Sequence, residues 1–294
     1  MDASSTVFLN GKFLPIEEAK VPVLDRGFIF GDGIYELVPV YSRVPFRLDE
    51  HLARLERSLA AVKIRNPYSR AEWRDVLLKV IDKQPFEDQG VYFQITRGVA
   101  KRDHAFPRDA TPTVFVMSNP LVCPPKELVE RGATAVTAVD NRWLQCDVKS
   151  ISLIGNCLLR QVSAEVGAVE TILFRDGKLT EASASNVFVV KQGTILTPPK
   201  SNLILPGITY DVILELAQAG GLPLRLRGDI GEAEVRGADE LWVTSSSKEV
   251  LAVTTLDGKP VGDGKPGPVF RRMYALYQDF KQKVMRAGVE KRAA

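Results

Sequence analysis

The spacing of apolar and polar residues divides the chain into short strands and amphipathic helices. "TVFLNGKFLP" sets two apolar runs around Asn10-Gly11, residues that tolerate positive φ, and so predicts a tight hairpin. "IYELVPVYSRVPFRL" predicts a second pair of strands. Leu52, Leu55, Leu59 and Val62 then recur at helical spacing behind Asp49, which reads as the N-cap. Ser69 and Glu72 form a capping box opening "AEWRDVLLKVIDKQ". "GVYFQITRG" and "TPTVFVMSN" read as buried strands.

The pattern breaks at "NPLVCPPKE", where Pro120, Pro124 and Pro125 prevent both helix and central strand, and a linker is expected. Beyond it "GATAVTAVD" predicts a strand and "SLIGNCLLRQVSAEVGA" a helix. Asp176-Gly177, Gln192-Gly193 and Asp257-Gly258 are turn pairs with strand-like flanks. "GITYDVILELAQAGG" reads as a helix closed by Gly220-Gly221, and "PVFRRMYALYQDFKQKVMR" as the last helix. The expectation is an α+β protein rich in antiparallel hairpins, with an N-terminal domain over 1–120, a linker over 121–126 and a β-rich C-terminal domain over 127–294.

Composition narrows the function classes. Lys plus Arg total 39 against 36 Asp plus Glu, too balanced to imply a nucleic-acid or membrane partner. The start "MDASSTVFLNGKF" lacks a basic segment followed by an apolar one, and a cytoplasmic protein is expected. Cys123, Cys146 and Cys157 show no C-x-x-C spacing, and His51 and His104 are the only histidines, so neither a disulfide framework nor a metal centre is expected. "GDGIYE" has Glu36 where a dinucleotide fingerprint needs its third glycine, and no P-loop or G-x-S-x-G elbow occurs.

Lys149, within "QCDVKSISLIGN", stands among small, apolar and neutral residues once Gln145 and Asp147 are passed. It reads either as a lysine whose stem lies on apolar surface or as an amine nucleophile, since burial disfavours the charged form. A lysine that bonds a phosphorylated aldehyde cofactor needs a phosphate anchor and an acid for the ring nitrogen. "LPGITYD" offers the first at a helix start, "VTSSSKE" adds Ser245 and Ser246, and Glu181 in "LTEASASNVFVV" offers the second. Each also has an ordinary reading, as a turn, a serine-rich loop and a solvated glutamate.

With "DRGFIFGDGIYE", "HLARL", "YFQITRG", "RDHAFP", "RWLQCDVKSISLIGN", "TEASASNVF", "LPGITYD" and "LWVTSSSKE" in this order, the chain resembles the fold-type IV (class IV) pyridoxal-phosphate aminotransferases, most closely those acting on D-amino acids such as D-alanine. The resemblance implies a two-domain fold with pyridoxal 5'-phosphate as cofactor. It implies Lys149 as covalent anchor and proton shuttle, Glu181 as partner of the ring nitrogen, and Arg54, Ile208, Thr209 and Ser246 as phosphate ligands, with Leu205 against the ring. It further implies that Tyr35, with Arg102 and His104 from the other subunit of a homodimer, holds the substrate carboxylate. D-Alanine and D-glutamate with 2-oxoglutarate or pyruvate are the implied substrates. Branched-chain L-amino acids, (R)-amines and aminodeoxychorismate are the alternatives within the fold, and a non-catalytic binding protein lies outside it. Two departures stand out: Ala182 and Ala184 lie in a stretch that is often Gly-Ser-Ser-Ser, which bears on rate and substrate range, and Pro206 takes a place where a lysine can occur, with no evident consequence.

Overall fold

The computed structural model describes residues 5–287, which divide into two compact units. The first takes the described residues up to Leu121, Val148–Leu153 and those from Met285 on; the second takes Val122–Asp147 and Ile154–Val284. The chain passes from the first unit to the second at Leu121/Val122, inside the stretch 121–126. The segment 148–153, expected with the second domain, belongs to the first unit because its backbone pairs there. Tyr35 N donates to Lys149 O (2.9 Å), Ile151 N donates to Gly33 O (3.0 Å), and Ile34 bridges Ser150.

In the first unit β1 (Thr6–Leu9), β2 (Lys12–Pro15), β3 (Gly33–Tyr41), β4 (Val44–Pro45), β5 (Gln89–Thr96) and β6 (Thr113–Pro120) form one antiparallel sheet ordered β2-β1-β6-β5-β3-β4. The Asn10-Gly11 turn has φ of 46° and 90°, as the hairpin requires. A short helix α1 (Arg26–Phe30) precedes β3, and α2 (Leu48–Ala61) and α3 (Arg70–Asp82) bury Leu52, Leu55, Leu59, Trp73, Leu77 and Val80 with Ile34, Val38, Val91, Phe93 and Val116 of the sheet. Ser69 and Glu72 make both bonds of the capping box. Asp49 is not the N-cap of α2: Arg47, at φ 49°, turns the chain into the helix one residue before Leu48, and Asp49 lies in the first turn, where its charge still suits the dipole.

In the second unit the strands are β7 (Ala133–Val139), β8 (Glu170–Arg175), β9 (Lys178–Ala182), β10 (Asn186–Lys191), β11 (Thr194–Thr197), β12 (Leu224–Leu226), β13 (Glu240–Ser245), β14 (Glu249–Leu256) and β15 (Lys259–Pro260). They form one sheet ordered β12-β11-β10-β13-β14-β7-β8-β9, with β15 also on β14. The turn pairs at 176–177, 192–193 and 257–258 all have positive φ. Three pairings are parallel, β7 with β8, β7 with β14, and β11 with β12. The helices are α4 (Lys126–Arg131), α5 (Ile154–Glu165), α6 (Ile208–Ala219), α7 (Glu232–Arg236) and α8 (Pro268–Phe280). The first of these begins straight after Pro125, inside the expected linker, because proline is tolerated at a helix start. At the end of α6 Gly221 (φ 62°) is the left-handed residue, one position after the C-cap.

Candidate active site

Within the first unit, the backbone pairing of 149–151 with the start of β3 fixes Lys149. Glycine makes this possible: a Cβ on Gly33 would lie 2.6 Å from Ile95 O and 2.9 Å from Ile151 Cδ1, and Gly31, at φ 64°, accepts a 2.8 Å bond from Ser152 Oγ. The glycines that fail as a dinucleotide fingerprint therefore let the lysine segment close on β3. Lys149 is half-buried, not enclosed, and its Nζ stands 4.2 Å from the centroid of the Tyr35 ring. Tyr35 in turn stacks on Tyr92 at 5.5 Å. The lysine has no ion pair among the described residues, which leaves its amine beside an aromatic face.

Arg54 is not on a solvent face. It is 4% exposed and grips Glu36 with two bonds of 2.7 Å, while His51 Nδ1 donates to Glu36 Oε2 at 2.8 Å. Burial alone would raise the Glu36 carboxyl, but Arg54 and His51 outweigh it and hold it far below the usual carboxylate range. Burial pushes His51 down, against the pull of Glu36. With Glu36 held ionised, Nδ1 carries a proton, and Nε2 is buried without a hydrogen-bond partner among the described residues.

Arg102 and His104 lie in the exposed loop between β5 and β6. The Arg102 guanidinium carbon is 5.5 Å from the Phe30 centroid, and the His104 ring is 5.6 Å from the same ring. Both expected carboxylate ligands therefore gather on one aromatic platform, at the end of α1. No hydrogen bond or ring contact links them to Tyr35 among the described residues.

In the second unit Glu181, at the end of β9, is 4% exposed. Its Oε1 accepts from Arg142 Nη1 (2.7 Å) and its Oε2 from Leu205 N (3.0 Å), which brings two expected site residues together. Arg142 is shared: Asp140 takes its Nε and Nη2 at 2.9 Å and also receives Thr180 Oγ1 and Arg175. Burial pushes the Glu181 carboxyl up to about 7, because only part of the Arg142 charge opposes it. Asp140 is buried too, but its several donors hold it down at about 2. Sequence reading identified neither Asp140 nor Arg142.

Ile208 and Thr209 open α6 after Gly207, and no side chain caps this helix start. A Cβ on Gly207 would lie 2.3 Å from Asn186 Oδ1, so any other residue there would displace the Asn186 side chain beside the first-turn N–H groups. Ser246 lies in the turn between β13 and β14. Just before it Thr244 Oγ1 is buried with no partner among the described residues. The stretch that carries Ala182 and Ala184 has a structural explanation. The Ser183 and Ser185 hydroxyls both donate to buried Glu170, which is also paired with Lys248 at 3.0 Å, whereas Ala184 is exposed.

The Amino-transferase class IV family model matches residues 33–256. The chain is 40% identical to a D-alanine aminotransferase of Bacillus licheniformis over 93% of its own length and 96% of that protein's. It is 38% identical to one of Listeria monocytogenes over 96% of both. Among solved structures, the branched-chain amino acid aminotransferase of Escherichia coli is similar at a TM-score of 0.85, with 26% identity over 92% of each chain. A T.th. branched-chain amino acid aminotransferase with pyridoxamine 5'-phosphate shares the fold at a TM-score of 0.88, with 24% identity over 97% of each. A family match across most of the chain, together with relatives of this identity over nearly their full length, establishes that the protein belongs to the class IV amino-transferase family.

Proposed function

We propose that this chain transaminates D-amino acids, D-alanine and D-glutamate among them, with 2-oxo acids such as 2-oxoglutarate or pyruvate as acceptors, using pyridoxal 5'-phosphate. The observation that carries the reading is the 40% identity to D-alanine aminotransferase over 93% of the chain, with the Arg102-x-His104 pair present. The residues suit the cofactor. An uncapped helix start and an unpartnered Thr244 hydroxyl suit a phosphate, His51 Nε2 is an orphaned polar atom, and a buried carboxyl raised to about 7 suits a ring nitrogen that must keep its proton.

When bound, the cofactor supplies a carbonyl that captures the amine and a ring that accepts electron density from the substrate α-carbon. The chain supplies the rest. Lys149 Nζ is the covalent anchor and the base that takes and returns the α-proton, which requires its neutral form. Glu181, steadied by Arg142, holds the proton at the ring nitrogen. Ile208 and Thr209 at the start of α6, Ser246 and Arg54 bind the phosphate, and Leu205 packs on the ring. Tyr35, Arg102 and His104 fix the substrate carboxylate, and so the face of the α-carbon that meets Lys149. The reading includes a cytoplasmic homodimer in which Arg102 and His104 serve the partner's site. Three free cysteines agree with a reducing compartment. Among the described residues no helix is long and apolar enough to cross a membrane, and the reading involves no nucleic acid, membrane or metal.

A second reading, transfer from branched-chain L-amino acids, has the solved neighbours in its favour, but at 26% identity or less. Replacing Lys149 with alanine tests the chemistry. The wild type, loaded with cofactor, should show the visible band of the lysine-bound form and turn over D-alanine; Lys149→Ala should lose both. Turnover retained in Lys149→Ala would overturn the assignment.

A further inference from the structure

The loop over residues 97–112 joins β5 to β6 and carries Arg102 and His104 in a stretch without helix or strand of its own. A connection of this length is uncommon unless it is functional or disordered. Here the preceding segment "LDRGF" templates it. Asp25 bridges Val99, and Ala100 N donates to Leu24 O (3.3 Å). Arg26 N donates to Gly98 O (2.9 Å), and Gly98, at φ 95°, could carry no Cβ, which would fall 1.9 Å from Thr111 O. At the far end Thr113 Oγ1 donates to Asp25 Oδ2 (2.6 Å).

The middle of the loop is held by one side chain. Arg26 is 3% exposed, yet its guanidinium reaches three successive carbonyls of an exposed segment: Nη1 donates to Asp103 O (2.5 Å) and, at 3.5 Å, to Ala105 O, and Nη2 to His104 O at 3.5 Å. Its Nε donates to Asp32 Oδ2 (2.7 Å), and Asp32 is braced by two bonds from Arg97. Burial alone would raise the Asp32 carboxyl, but Arg97 and Arg26 hold it below its usual range, so the anchor stays charged. Arg26 also lies 4.7 Å from the Phe30 centroid, the ring that Arg102 and His104 share, and Arg97 lies 3.6 Å from the Phe106 centroid.

We propose that Arg26 is a positioning residue for the carboxylate site: anchored on Asp32, it gathers the carbonyls of Asp103, His104 and Ala105, so that Arg102 and His104 are presented together. The inference rests on the reading that those two residues hold the substrate carboxylate. A planar fork with donors in fixed directions suits three neighbouring acceptors, and a lysine in its place would keep the charge for Asp32 and lose the fork. A loosened loop leaves both ligands present but no longer pre-ordered, which weakens binding before it affects chemistry.

The test uses the holoenzyme in four forms: wild type, Arg26→Lys, Arg102→Ala and the double variant. Deuterium uptake by the peptide spanning 100–107 is followed alongside D-alanine kinetics. Arg26→Lys should exchange that peptide faster while β5 and β6 exchange as in wild type, and should raise KM about 10-fold with kcat within about 3-fold, the split expected when ground-state binding alone is lost. The double variant should lose clearly less than the product of the two single losses, because Arg26 acts in part through Arg102. Unchanged uptake and KM in Arg26→Lys, or losses that multiply in the double variant, would overturn the proposal. If Arg102→Ala itself keeps wild-type KM, the carboxylate reading fails first and the proposal falls with it, a pattern distinct from the other two. Should Arg26→Lys fail to fold, Phe106→Ala loosens the same loop from its exposed side: raised uptake with raised KM supports the proposal, and raised uptake with unchanged KM refutes it.

Discussion

Glu181 should make the cofactor-free protein less stable as pH rises. Its carboxyl stands at about 7 in the folded chain against an ordinary value of 4.5, because burial disfavours the anion more than its share of Arg142 favours it. A folded value above the unfolded one gives a contribution that is complete below about pH 4.5 and is lost as pH climbs through 7. At ~1.4 kcal/mol per unit of difference, the loss between pH 5 and pH 8 is about 2.5 kcal/mol. For a chain of 294 residues, at about 2.1 cal/mol/K of unfolding entropy per residue, that corresponds to roughly 4 °C in Tm. His51, whose value is lowered by burial, acts in the opposite sense near the same pH, so the diagnostic quantity is the difference between wild type and Glu181→Gln. Glutamine keeps the shape and has no proton to lose, and its single amide oxygen accepts from either Arg142 or Leu205 but not from both. Thermal denaturation of both cofactor-free proteins from pH 5 to pH 8 should show wild type losing Tm relative to the variant. Parallel curves would mean that Glu181 titrates as an ordinary carboxyl, and its description as a raised, buried acid would be wrong. Saturation with pyridoxal phosphate should flatten the difference, since a protonated ring nitrogen keeps the carboxylate charged.

Further outcomes follow from the same geometry. Glu36→Gln leaves the Arg54 guanidinium buried without its carboxylate and should cost about 3–5 kcal/mol in urea denaturation, with weaker cofactor binding by titration. Trp73→Ala, at 0% exposure in the first unit's core, should cost about 3–5 kcal/mol by the same measurement and leave the D/L preference unchanged. Ala184→Ser should change D-alanine turnover by less than about 2-fold, because the position is exposed and its neighbours' hydroxyls serve Glu170 rather than the reaction. A larger gain would show that the missing hydroxyl matters to catalysis.

What the sequence revealed was local. Asn10-Gly11, the Ser69–Glu72 box and the later turn pairs each encode their geometry in adjacent residues, and each stands where it was expected. Long-range pairing is not written in this way. The parallel partnership of β7 with β8 and β14, and the return of 148–153 to β3, depend on contacts between distant segments that one chain's periodicity does not specify.

The buried polar network was missed although it left a signal. Glu36 shares its strand parity with Ile34, Val38 and Val40, so an acid stood on the apolar side of β3. His51, Arg54 and Ser58 recur at helical spacing beside the leucine stripe of α2, and all three are buried. Read together, those positions call for a carboxylate paired with a guanidinium inside the unit. Arg142 left no such signal: Asp140 is its near neighbour in sequence, but its role depends on the distant Glu181 meeting the pair. Lys149 was legible as chemistry by its resemblance to a family, and the apolar burial first read into its surroundings is only partial.

The central claim, a preference for D-amino acids set by Arg102, is tested most directly by a single half-reaction comparison. Cofactor-loaded protein is mixed with D-alanine or with L-leucine, without acceptor, and the visible band of the lysine-bound cofactor is followed. Conversion by D-alanine should run well above that by L-leucine, and Arg102→Ala should lose this preference. Faster conversion by L-leucine would contradict the claim.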